Sequence, residues 1–188
     1  MTAPTDASVA ETAAAVENVL LAAYGKLSGL PAVQQLGLEP LFVSTIGHHA
    51  DHAAAFNAAA ARLGGKPQSG LDQTFMTSVV QPGLADVASA TDAVLFSARL
   101  ETIAAATYAS QVATVADRDL RAVLAGVAGV ECQHQGVLLV LAALVPGGRA
   151  ALGSFPIAPR RLPTALPGSP GAFLRLDQAR PPSEGALR

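Results

Sequence analysis

The sequence predicts an all-α protein, a four-helix bundle with a long crossover between its second and third helices and a proline-rich C-terminal tail. Three observations carry this. The 188-residue chain is 51% hydrophobic but only 14% charged and 4% aromatic, and alanine-rich apolar stretches with few β-branched alternations favour helix. Apolar residues recur at helical spacing in four long segments. The first two segments resemble the last two in where their few polar residues fall, so one helix pair is used twice.

The first segment spans about residues 8–28. Ser8-x-x-Glu11 has the form of a capping box. Val9, Ala13, Val16, Leu20, Ala23 and Leu27 give the buried face, with Glu17 on the same side and Tyr24 seven residues beyond it. Gly29 and Pro31 end it. The second segment spans about residues 40–63. Pro40 suits its first turn, and Gly64-Gly65-Lys66-Pro67 stops it. Its stripe contains His49 and His52, and His48 lies four before His52, so three of the four histidines of the chain fall here.

About residues 65–90 form a long connection containing Pro67, Gly70, Pro82 and Gly83. A crossover along the length of a bundle accounts for a loop of this size and makes the second and third segments parallel. The third segment spans about residues 92–115, with Thr91 or Asp92 as its cap. Its stripe is Val94, Ala98, Glu101, Ala105, Tyr108 and Val112, where only Glu101 is out of place. Asp117 can cap the fourth segment, which ends before Pro146-Gly147-Gly148. The short link makes it an antiparallel neighbour of the third. The bundle domain is thus read as residues 7–145. The tail, 146–188, holds eight of thirteen prolines and six of twelve Lys/Arg but only two acids. It reads as extended or disordered, with Phe173–Leu176 as a fragment that could dock on a protein partner.

The chemistry concentrates at Glu131-Cys132-Gln133-His134, inside the apolar stretch Leu120–Leu144. Glu131 and His134 are three apart and share a helix face. A buried carboxylate beside a buried imidazole is costly without partners. Alone, such a pair also describes a core histidine hydrogen-bonded to a nearby glutamate. The internal repeat changes the weighing. Glu17 precedes Tyr24 and Glu101 precedes Tyr108 by the same seven residues, and His49-x-x-His52 stands where Glu131-x-x-His134 stands in the second half. Glu17, His49, His52, Glu101, Glu131 and His134 would then converge in the core. Clustered carboxylate and imidazole with no cationic side chain is metal-ligand chemistry. Tyr24 and Tyr108 are core aromatics whose hydroxyls need partners, in the sharper version a ligand carboxylate. Cys132 points off the Glu131 face, and His48 is a surface or supporting histidine.

A net charge of -2 argues against nucleic acid as a partner. Residues 1–8 have no basic residue and no apolar core, the longest unbroken apolar run is too short for a bilayer, and the single cysteine excludes an intramolecular disulfide framework. The expectation is a soluble cytoplasmic protein, with a homodimer left open. No phosphate-binding glycine loop, nucleophile elbow or Cys-x-x-Cys pair is present.

On Glu17-x6-Tyr24, His49-x-x-His52 followed by Ala-Ala-Ala-Phe-Asn, the Gly64-Gly65-Lys66-Pro67 stop, Glu101-x6-Tyr108 and Glu131-x-x-His134, the chain resembles ferritin-like domain proteins over about residues 7–144, closest to the bacterial ferritin-like family that includes desiccation-related proteins. The resemblance implies a dinuclear iron or manganese centre. Glu17 and Glu101 would be single carboxylates, Glu131 a bridge, and His134 and His52 terminal ligands. His49 stands where the common pattern has a second bridging glutamate. Because an imidazole nitrogen does not bridge as a carboxylate does, mononuclear iron or zinc stands beside the dinuclear reading. The activities implied are iron oxidation or handling, peroxide handling and manganese-type peroxide disproportionation. A different class, a non-catalytic scaffold with a degenerate site, is motivated by the same His49.

Overall fold

The computed structural model describes residues 5–148. Among them are helices and turns and no strand. The long helices are α1 (Asp6–Ser28), α3 (Glu39–Arg62), α6 (Ala90–Val112) and α7 (Arg118–Leu144), with short α2 (Pro31–Gln35) between the first two. The crossover is not structureless. It contains α4 (Gln73–Phe75), a π-helical turn (Met76–Val80) and α5 (Gln81–Ala85). The glycines and prolines that mark residues 65–90 as a connection also hide this helical piece, whose apolar residues Phe75, Met76 and Val80 are buried. The expected tail lies almost wholly outside the described residues.

The helix ends follow local chemistry, with two corrections. Thr5, not Ser8, caps α1: its hydroxyl accepts from Ser8 N–H at 3.2 Å. Glu11 instead accepts from Lys66 N–H at 2.6 Å, tying the start of α1 to the end of α3. Ser89 caps α6, accepting from Asp92 N–H at 3.1 Å, while the Asp92 carboxylate accepts from Ser89 Oγ at 2.7 Å. The reciprocal Ser-x-x-acid pair was therefore present in the sequence one turn earlier than expected. Asp117 caps α7 as anticipated, accepting from Leu120 N–H at 2.7 Å. At the end of α3, Gly64 (φ +80°) and Gly65 close a Schellman turn, with Gly65 N–H on Ala60 O at 2.8 Å and Gly64 N–H on Ala61 O at 3.1 Å.

α1 packs on α3 and α6 on α7, and the two pairs meet through α3–α7 and α1–α6. The Glu11–Lys66 and Arg62–Asp117 contacts place the end of α3 beside the starts of α1 and α7, so α3 is antiparallel to both and parallel to α6. α1 and α6 are buried on nearly every side, which is why their sequences are apolar all round and rich in alanine. α3 and α7 keep solvated faces. By length and composition α7 could also cross a bilayer, but Leu120, Leu124, Val127 and Leu138 pack inside the bundle.

Two asparagines fix the crossover. Asn18 donates to Gln68 O at 3.2 Å and Gly70 O at 2.9 Å, and Asn57 exchanges bonds with the Gln68 backbone at 3.0 and 2.6 Å. Gly83 of α5 then lies against the Phe96 ring of α6, where an added Cβ would come within 2.1 Å. Phe96 is itself buried, so the ring has little room to yield. Gly83→Ala should therefore destabilise the fold by about 1–3 kcal/mol, the usual range for overpacking. Denaturant unfolding measures this, and an unchanged midpoint would contradict the packing.

Candidate metal centre

The four long helices each place ionisable side chains at one level of the interior: Glu17 from α1, His49 and His52 from α3, Glu101 from α6, Glu131 and His134 from α7. Glu17, His49, Glu101 and Glu131 are fully buried, while the His52 and His134 side chains are 12% and 11% exposed. All six sequence-predicted residues are brought together.

Their donor atoms fall into two groups. In one, His49 Nδ1 lies 2.7 Å from Glu17 Oε2 and 3.6 Å from Glu131 Oε1, and His52 Nδ1 lies 2.8 Å from Glu131 Oε1 and 3.7 Å from Glu17 Oε2. In the other, His49 Nε2 lies 3.4 Å from Glu101 Oε1, and His134 Nδ1 lies 3.5 Å from Glu101 Oε2 and 2.9 Å from Glu131 Oε2. Within each group of four residues, ligand atoms can be chosen that all lie within 4.8 Å of one another. Ligands about 2.0–2.2 Å from a shared ion stand roughly 3–3.4 Å apart, and the contacts within the two groups, 2.7–3.7 Å, lie on both sides of that spacing.

The tyrosines cross between the halves. Tyr24 of α1 donates to Glu101 Oε1, and Tyr108 of α6 donates to Glu17 Oε1. Each therefore steadies the glutamate of the opposite helix, not its own neighbour seven residues away. The sequence showed the matched spacing but could not show the exchange. His48 is the other contact that sequence reasoning left vague. Its ring lies edge to edge and coplanar with that of His134, 5.1 Å between centroids, with Nδ1 2.9 Å from His134 Nε2. With Nδ1 of His134 turned to the carboxylates, its Nε2–H donates to His48, which fixes tautomer and ring orientation. His48 and His134 also line a cleft of about 250 Å³ between α3 and α7, with Leu41, Thr45, Val130 and Val137. Cys132 is partly buried beside the site, its thiol pushed up by burial and then by Glu131.

A direct fit test lies in the hydrogen bonding. His49 Nε2, His52 Nδ1, Glu101 Oε2 and Glu131 Oε1 are buried without an aligned hydrogen-bond partner. The 2.8 Å approach of His52 Nδ1 to Glu131 Oε1 is close but misaligned for a hydrogen bond. Two such atoms lie in each group, all on ligand-type residues, so a cation between them would satisfy what the protein leaves open. The residues fit a divalent metal.

Without metal, protons must balance the carboxylates. Burial opposes ionisation of Glu17 and Glu101, but the His49 charge and the nearby histidine rings outweigh it and hold both below the usual carboxylate range. Glu131 is pushed up to about 7 by burial and then by Glu101 and Glu17. Burial disfavours the histidine charges, yet Glu101 and Glu17 hold His49 well above its ordinary value, and the close approach of the glutamates raises His52 and His134 to about 9. Burial and then the neighbouring glutamates also push both tyrosines well up, so their hydroxyls stay protonated as donors.

A model of the ferritin-like domain family matches residues 38–143. That span takes in His49, His52, Glu101, Glu131 and His134 and begins after Glu17. No curated protein and no solved structure matches the chain.

The titrations give a test with a definite sign. His52 and His134 carry raised values, so their stabilisation of the metal-free protein is complete below the ordinary value of 6.5 and is lost as pH rises through about 9. Glu131, raised from 4.5 to about 7, acts in the same direction at lower pH. The melting temperature in chelator should fall as pH is raised from 6.5 to 9, and apparent metal affinity should rise over the same interval because ions displace these protons. Calorimetric melting and metal titration across the range check both, and a flat profile would refute the proton assignment.

Proposed function

The chain belongs to the ferritin-like domain family, and from that premise we propose that it is a metal-binding bundle whose carboxylate/histidine centre takes iron or manganese and serves iron oxidation or handling, or protection against oxidative stress. The observation carrying this reading is the set of four buried donor atoms without an aligned hydrogen bond, one on each of His49, His52, Glu101 and Glu131, within a cluster of six converging side chains. Structural hydrogen bonding alone gives no reason to gather those open atoms on carboxylates and imidazoles that face one another.

A bound ion would supply Lewis acidity and, for iron or manganese, one-electron redox chemistry. The residues of the chain do the rest. Glu17 and Glu101 bring charge from the two most buried helices, each held by a tyrosine. Glu131 offers one oxygen to each group of donors. The α1 and α6 side is closed by packed apolar residues, and the partly exposed His52 and His134, the latter at the cleft with His48, mark the side from which water and small reactants would approach. Zinc also suits an imidazole-rich set.

A second reading, a non-catalytic scaffold with a degenerate site, draws on His49 and on the charge balance that protonated histidines give the site without metal. Purified protein should carry iron, manganese or zinc by elemental analysis, and Glu131→Ala with His134→Ala should lose it while the helical circular dichroism is kept. Adding Fe(II) or Mn(II) at a hundredfold excess over Kd should stabilise the metal-free protein by about 2.7 kcal/mol. Protein that takes up no metal and melts unchanged supports the scaffold.

A further inference from the structure

We propose that the centre holds two divalent ions bridged by the His49 ring, with Nδ1 bound to one ion and Nε2 to the other. The inference rests on the metal-centre reading above and adds to it the number of ions, their separation and the group that joins them.

The first support is geometric. The two nitrogens of His49 face different donor groups: Nδ1 faces Glu17 Oε2 at 2.7 Å, and Nε2 faces Glu101 Oε1 at 3.4 Å. A terminal histidine offers one nitrogen to a metal and donates its other N–H to a second-shell acceptor. Here both flanking acceptors are themselves candidate ligands, and Nε2 has no aligned hydrogen bond. The ring is fully buried and lies 5.2 Å from the Tyr24 ring, 6.0 Å from His52 and 5.6 Å from His134, so neighbours on several sides hold it in the shared position.

The second support is charge. Two divalent ions bring four positive charges into a buried site. Glu17, Glu101 and Glu131 supply three negative ones. A neutral His49 would leave one positive charge unbalanced in the core, which is expensive. When the second ion binds, His49 gives up its remaining N–H proton to solvent; the resulting imidazolate supplies the fourth negative charge, and two metal–nitrogen bonds form where one N–H bond is lost. The ring thus carries the charge that a second bridging glutamate would otherwise bring.

The bridge has a geometric signature. The ring lone pairs diverge, whereas the inner lone pairs of a bridging carboxylate converge. With metal–nitrogen bonds of about 2.0–2.1 Å, an imidazolate sets its two ions about 6 Å apart, against about 3.5–4 Å in compact two-metal sites. Glu131, with Oε1 2.8 Å from His52 Nδ1 and Oε2 2.9 Å from His134 Nδ1, reaches both ions through its outward lone pairs.

The test loads the full-length protein with Zn(II) and locates the ions by anomalous diffraction, with Zn(II) binding measured by calorimetry. Two ions about 6 Å apart, one on each side of the His49 ring, are expected. Cu(II) gives a solution readout: its spins should couple through the ring, so the isolated-copper resonance integrates to well below the copper bound. In His49→Glu, two Zn(II) ions should move to about 3.5–4 Å apart. One ion per chain, two ions in the wild type already at the shorter distance, or copper spins that all count as isolated would overturn the bridge and leave the metal centre standing. Calorimetry showing no Zn(II) uptake would overturn both. If His49→Glu does not fold, the wild-type separation and spin count decide.

Discussion

Three carboxylates meet at one point inside this bundle, and among the described residues no lysine or arginine takes part in their ion pairs. Each ionised group removed from water costs several kcal/mol unless something positive stands beside it. Only two kinds of positive charge fit the space, protons on the three histidines or metal ions among them. The same side chains serve either case, because a histidine that holds a proton against a carboxylate can hold a metal there once the proton leaves. The competition between proton and ion is therefore a property of how the core is built.

The rest of the fold keeps those groups in register. α1 and α6, which carry the single glutamates, are the helices most enclosed by small apolar residues. They have no soft face along which a carboxylate could swing to water. The exchanged tyrosines tie each of these helices to the acid of the other, so a shift of either rod would break a buried hydrogen bond, at a cost of order 1–3 kcal/mol. At the level of connection, Asn18 and Asn57 hold the crossover to the first helix pair, and Gly83 admits it against Phe96.

Much of this was legible in the sequence because the chain is poor in polar residues. Against apolar stripes, Glu17, Glu101 and Glu131 stood out, and the repeated seven-residue spacing to tyrosine aligned the halves. The four long helices were readable for the same reason. The helical piece at residues 73–85 was not, because three short turns give too few periods to show a pattern and its prolines and glycines signal a loop. The caps at Thr5 and Ser89 were misplaced by about a turn, since serine, threonine and aspartate cluster at both ends and only backbone geometry decides which one turns inward. The pairing of Tyr24 with Glu101 and of His48 with His134 joins residues 77 and 86 positions apart, and no local pattern reports such contacts.

The cleft between α3 and α7 brings solvent up to the His134 side of the cluster. Val137 lines it, and Val137 and Val140 stand exposed along the same helix. An ion held by the cluster and leaving this way would pass the His48–His134 pair and take on water among the largely apolar side chains of the cleft. Such a doorway would set how fast an ion enters, and the grip of the six side chains would set how long it stays, so two separate parts of the fold would govern uptake and retention.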